Sequence, residues 1–314
     1  MTPLSGLLVV DLTRYLPGEY AGRELLRLGA RVVRIEPPGG EPLRETAPAW
    51  DRALNAGKES VVCDLKSEAG LALARALLAR ADVVLEGFRP GVAARLGVGP
   101  GDARTDAVYC SITGFGVDGP HVQRAGHDLN YLGWAGALAD TAPALPPLQI
   151  ADLAAGALGA VTQILAALLE GGGARITVSM THRAHDLVAH RLGGEPLPKL
   201  LTGGVACYCI YATADGRFLT VAALEPKFWQ RLCELVGLPE LIGRQWEPRL
   251  PELARAFESR SLAEWLELFD GDDVSSGPVA TLEEAAQEFS SGDQLDSAPR
   301  LGEHTDAWRA ELGL

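Results

Sequence analysis

The chain has 314 residues, 47% of them hydrophobic and 22% charged, with a formal net charge of −13. That length exceeds one typical domain, and the composition is that of an ordinary globular protein rather than a disordered or fibrous one. The acidic balance excludes general nucleic-acid binding, yet leaves room for one small polyanion held by a few focused arginines.

In chain order, Leu7 to Asp11 reads as a short apolar strand, Gly18 to Leu28 as a helix stopped by Gly29, and Ala30 to Ile35 as a second strand. Ser60 to Asp64 is a third strand, and Ser67 caps a helix through Leu78 ahead of the strand Asp82 to Leu85. Ala107 to Thr113 continues the alternation. Strands that are apolar throughout and separated by helices predict a parallel sheet covered on both faces. Asp152 to Glu170 is a long apolar helix; its uncharged stretch, Leu153 to Leu169, is shorter than the roughly 20 residues of a membrane span and reads as a core helix. Arg175 to Met180 and Thr181 to Arg191 add a strand and a helix.

Residues 193–202, with Pro196 and Pro198, read as a linker. Beyond it, Cys207 to Thr213 and Arg217 to Ala222 flank Ala214-Asp215-Gly216 as a hairpin, with helices over Glu225 to Val236 and Ser261 to Phe269. The expected organisation is a large Rossmann-like α/β domain (1–192, rejoined by a tail from about 283 to 314) and a small α+β domain (203–282). Five unpatterned cysteines and an N-terminus without signal-peptide features point to free thiols in the cytoplasm.

Candidate chemistry is scattered. Gly114, Gly116 and Gly119 form G-x-G-x-x-G after a strand, but Pro120 follows and no helix opens on them, so a close-approach loop is favoured over a dinucleotide fingerprint. His182 and His185 could share a helix face, but no third ligand accompanies them and no metal is expected. His127, Asp152 and Glu225 read singly as a lone histidine, an N-cap and a helix start.

Together with other segments they resemble the family III CoA-transferases. The resemblance is carried by Leu4-Ser5-Gly6-Leu7 with Val10 to Arg14, by Leu28 to Glu36, and by Leu54 to Lys58 with Asp64-Leu65-Lys66. Glu86 to Gly91, Thr113 to Gly116 with Gly119-Pro120, Thr202-Gly203-Gly204 and Asp215 to Pro226 extend it. The resemblance implies two chains interlocked as a homodimer, with acyl-CoA as substrate, no prosthetic group, and coenzyme A entering as part of the substrate. It places Asp152 at the position where a transferase aspartate attacks the thioester, and His127 and Glu225 where the α-methylacyl-CoA racemase branch carries its histidine and glutamate. Transferases usually have an apolar residue before the aspartate matching Asp128 and a glutamine four after it; here those positions are His127 and Leu132.

By the same resemblance Arg34, Lys58, Arg89 and Arg95 lie near the nucleotide and phosphates, and Gly114 and Gly116 on a ligand loop. The expected reaction is racemisation at the α-carbon, with His127 and Asp152 on opposite faces, Glu225 orienting the imidazole, and the amide at the start of the Asp152 helix meeting the thioester oxyanion. The alternatives are a CoA-transferase working through an Asp152 anhydride and a non-catalytic acyl-CoA-binding paralogue. The chain departs from the family in its compressed stretch between Pro42 and Trp50, its short tail, Thr181-His182 after Met180, and Ser275 where relatives often carry cysteine.

Overall fold

A parallel sheet whose central strands bury side chains on both faces can only be satisfied by helices above and below. The computed structural model, which describes residues 2–194, 196–289 and 297–314, has that form. In its first unit, residues 1–190 with 294–314, the elements run β1 (Leu8–Leu12), α1 (Tyr15–Arg27), β2 (Arg31–Glu36), α2 (Leu43–Thr46), α3 (Pro48–Asn55) and β3 (Glu59–Val62). They continue as α4 (Glu68–Leu78), β4 (Val83–Glu86), α5 (Val92–Leu96), β5 (Val108–Thr113) and α6 (Asp128–Trp134). A π-helical segment, Ala151–Leu158, then runs straight into α7 (Gly159–Leu169), and β6 (Arg175–Ser179) and α8 (Met180–Val188) follow.

The sheet order is β3-β2-β1-β4-β5-β6, parallel throughout. Alternation along the strands builds two cores. Val9, Val32, Val83 and Val108 pack with Ala21 and Leu25 of α1 and with Ala155 and Ile164 of the long helix. Their neighbours Val10, Val33, Val84 and Tyr109 face Leu73 and Leu77 of α4. The 19-residue helix Ala151–Leu169 is long and apolar enough to cross a membrane by length and composition, but small residues such as Ala155 and Ala160 seat it in this core. Connections leave β1 and β4 in opposite directions, so a crevice opens beyond their carboxyl ends, the position where such sheets bind ligands.

The second unit, residues 191–293, holds β7 (Tyr208–Ala212) and β8 (Phe218–Ala222), the expected hairpin, then α9 (Pro226–Val236), α10 (Pro251–Phe257) and α11 (Leu262–Phe269). It ends with β9 (Ser276–Pro278), antiparallel to β8, and α12 (Leu282–Phe289). Its own core gathers Trp229, Leu232, Tyr211, Phe257 and Trp265. Where the sequence reading starts the returning tail near 283, α12 stays in the second unit, and the described residues 297–314 belong to the first. There α13 (Thr305–Leu312) inserts Trp308, 1% exposed, beside α4. Residues 302–305 bond the free edge of β3: His304 N–H donates to the Ser60 carbonyl at 2.9 Å, and Val62 N–H to Thr305 Oγ1 at 3.0 Å. An exposed strand edge is thereby closed.

Candidate active site

The crevice is shaped first by glycine. A Cβ on Gly18 would fall 2.1 Å from Thr13, and one on Gly114 would fall 2.6 Å from the Tyr131 ring, so both loops close in only because these residues lack side chains. Thr13, Arg14 and Tyr15 after β1, Gly87 and Arg89 after β4, and Gly114 after β5 then line an open cavity of about 370 Å³, completed by Arg124, His127 and Asp152. A second open cavity of about 370 Å³ shares Tyr15, His127 and Asp152 with the first, but its remaining wall is mostly apolar, with Leu16, Leu43, Trp50, Leu129 and Leu145. A cation-lined chamber and an apolar one therefore adjoin at an ionisable pair.

Asp152 stands in the first turn of the π-helical segment, a winding that often marks functional sites. Burial, and then the charge of Asp128, push its carboxyl up from the ordinary 3.8 to about 7. Asp128 is itself buried and raised by burial; its Oδ1 accepts the Asp152 N–H at 3.0 Å. That bond corrects one expectation: the amide proposed for the oxyanion is already engaged. His127 precedes α6, its N–H donating to Asn130 Oδ1 at 3.1 Å while its ring stays exposed. The ring lies edge-on to Tyr15, with centroids 6.3 Å apart at 86°.

Residues 4–305 match the model of CoA-transferase family III. The chain belongs to that family. It is 32% identical to the α-methylacyl-CoA racemase of Homo sapiens, over 99% of this chain and 94% of that protein. It is 30% identical to the succinyl-CoA:glutarate CoA-transferase of Mus musculus, over 92% of this chain and 74% of that one. Among solved structures it superposes on a CaiB/BaiF family protein from Brucella suis with a TM-score of 0.84 at 29% identity, covering 99% of each chain. Racemases and transferases thus stand at nearly equal distance, and the chain is an enzyme of the superfamily they share.

Of the residues predicted from sequence, this family III fold brings His127, Asp152, Arg89 and Gly114 to one cavity. Gly116 and Arg95 lie outside its lining: Gly116 N–H donates to Thr113 Oγ1 at 3.0 Å, and Arg95 is exposed on α5. Arg34 and Lys58 require correction. Each is 2% exposed. Arg34 bonds Glu19 at 2.7 Å and Asp51 at 2.8 Å, while Lys58 Nζ lies 3.2 Å from Glu19 Oε2 and 3.4 Å from Asp11 Oδ2. A buried cation persists only when paired, and this pairing turns both side chains inward, away from any phosphate. Burial raises Glu19 to about 7 against the pull of those two cations. Glu225 precedes α9 in the second unit, with its side chain exposed.

Three lining residues escaped the sequence reading. Arg14 directly follows the carboxyl end of β1, a position the parallel-sheet rule could have flagged. Arg124 carried no local signal; in the structure its guanidinium lies over the Trp134 ring at 5.2 Å. Tyr15 opens α1 with φ +64°, a conformation rarely adopted outside glycine, and its N–H donates to Oε1 of buried Glu41 at 3.0 Å. His182 and His185 are engaged through Nδ1 with Ser179 Oγ (2.7 Å) and the Ala135 carbonyl (3.0 Å), and among the described residues no cluster of three or more metal-ligating side chains occurs.

Proposed function

We propose that this enzyme is an α-methylacyl-CoA racemase, removing and returning the α-proton of a 2-methylacyl-CoA thioester. The observation that carries the reading is the junction of the two cavities, where Asp152 and His127 stand between a wall bearing Arg14, Arg89 and Arg124 and a wall of leucine and tryptophan. A thioester of coenzyme A has that same polarity, anionic at one end and apolar at the other, with the reacting carbon between.

Inversion requires one group to take a proton from one face of the α-carbon while another supplies a proton to the opposite face. At neutral pH a carboxyl with a pKa of about 7 is present in both forms, so Asp152 can act in either role. For one enantiomer the neutral imidazole of His127 takes the proton and protonated Asp152 delivers its own; for the other the roles reverse. Coenzyme A arrives and leaves with the substrate, and no prosthetic group is called for. In the same reading two chains form an interlocked homodimer, Glu225 of one orients His127 of the other, and the free thiols suit the reducing cytoplasm.

A second reading has one observation in its favour, since a carboxylate at the junction could also attack the thioester as an acyl-transfer nucleophile. The two separate in D₂O. With 2-methylacyl-CoA and no acceptor acid, the racemase incorporates deuterium at the α-carbon and loses chirality, and His127→Ala lowers the exchange by at least about 100-fold. No exchange in the wild type, with acyl movement once a free carboxylic acid is added, would replace the racemase with the transferase.

A further inference from the structure

Two groups that serve opposite faces of one carbon must be held at a fixed spacing, and a misplacement of about 1 Å can cost on the order of 100-fold in rate. On the His127 side the backbone is pinned at three successive residues. The Tyr131 hydroxyl donates to the Gly126 carbonyl, the His127 N–H donates to Asn130 Oδ1 at 3.1 Å, and the Asp128 side chain reaches across to the long helix. On the other side, the helix that carries Asp152 begins without a cap of its own. Its N-cap is Ile150, whose side chain has no acceptor for the first-turn N–H groups. Asp128 supplies that acceptor from 24 residues away: its Oδ1 takes the Asp152 N–H at 3.0 Å, and the Ala151 N–H also interacts with the carboxylate. Asp128 is therefore joined to both groups of the pair, covalently to His127 and by hydrogen bond to the backbone of Asp152. Both ends of this strut belong to one chain, and its middle is buried.

We propose, resting on the racemase reading above, that Asp128 is a positioning residue whose side chain sets the distance between His127 and Asp152. Its length is what matters. A carboxylate one methylene longer, attached at the same point of α6, either pushes the first turn of the Asp152 helix away from His127 or swings off and leaves that turn uncapped. An amide of the same length still presents an oxygen to the Asp152 N–H, so the spacing survives loss of the charge. Length and charge can therefore be varied separately at this one position, which is what distinguishes a strut from an electrostatic neighbour.

The test is α-proton exchange of 2-methylacyl-CoA in D₂O by the full-length protein, each variant at its own pH optimum and with rates expressed per folded molecule. Asp128→Asn keeps the length without the charge and should hold kcat within about fivefold of the wild type. Asp128→Glu keeps the charge and adds a methylene; kcat should fall at least about 20-fold with KM within about threefold. Asp128→Ala removes the strut without crowding and should fall as far as Asp128→Glu, so it decides the matter if the longer side chain prevents folding. A merely structural role would lower the melting temperature of the Ala and Glu variants while leaving kcat per folded molecule unchanged, and that result would overturn the positioning role. An Asn variant as slow as the Glu variant would overturn it as well, because charge and not length would then be the cause. In each of these cases the wild type still exchanges and the racemase reading stands. No exchange in the wild type overturns that reading, and the positioning role with it.

Discussion

Two sets of cations stand near the carboxyl ends of β1, β2 and β4, and they do opposite work. Arg34 and Lys58 are enclosed with Asp11, Glu19, Glu36, Glu41 and Asp51, all of them buried. Arg14, Arg89 and Arg124 line the cavity with their charge toward solvent. Residue type and sequence neighbourhood are similar in the two sets; what separates them is whether carboxylates surround the cation. A cation already matched by acids holds the fold, and one left unmatched is available to an anionic ligand. The two regions touch at Tyr15, whose N–H rests on Glu41 while its ring borders both cavities.

The contrast can be broken most forcefully at Arg34. Arg34→Met leaves its carboxylate partners buried without their counter-charge and should cost about 3–5 kcal/mol in urea unfolding. Arg89→Met should unfold like the wild type yet bind acyl-CoA at least about tenfold more weakly. If Arg34→Met proved as stable as the wild type and lost only ligand binding, the division of labour would be reversed.

A smaller effect comes from Asp152. Its folded pKa of about 7 lies above the ordinary 3.8, so the folded protein keeps a proton that the unfolded chain has released between those values. Stability therefore falls as pH rises through that window. Asp152→Asn should match the wild type near pH 3.5 and exceed it at pH 8 by about 2–4 kcal/mol, the lower figure allowing for partial exposure. Glu19, raised from 4.5 to about 7, keeps part of the slope in the variant. The smallest effect is expected at Tyr15. Tyr15→Gly relieves the φ of +64°, and the melting temperature should rise by the equivalent of up to about 1 kcal/mol once the entropy of glycine is set against it.

The parallel sheet was legible because each strand declares itself as an apolar run between helix signals, and Ser67 as a cap because its hydroxyl does accept the Gly70 N–H. His127 and Asp152, which share a cavity lining, are marked in the sequence only as members of a pattern, and neither stands out alone. The fate of Arg34 and Lys58 was not legible, because it depends on Glu19 and Asp51, which reach them only through packing of α1 and α3. The same holds for Asp128, whose bond to the Asp152 amide spans 24 residues. β9, three residues of Ser-Gly-Pro, has no strand propensity of its own and exists through its pairing with β8. A left-handed tyrosine leaves no mark in sequence at all.

The closing of β3 by residues 302–305 has a consequence for biosynthesis. Ser60 and its partner His304 are separated by 244 residues. At roughly 5–20 residues per second, a ribosome needs about 12–50 s to carry the chain from one to the other. Once β6 has been made the nascent first unit holds all six sheet strands, but its β3 edge stays open and its core lacks Trp308 while the second unit is being made. Until residues 302–308 have been made, that edge is free to pair with a neighbouring chain.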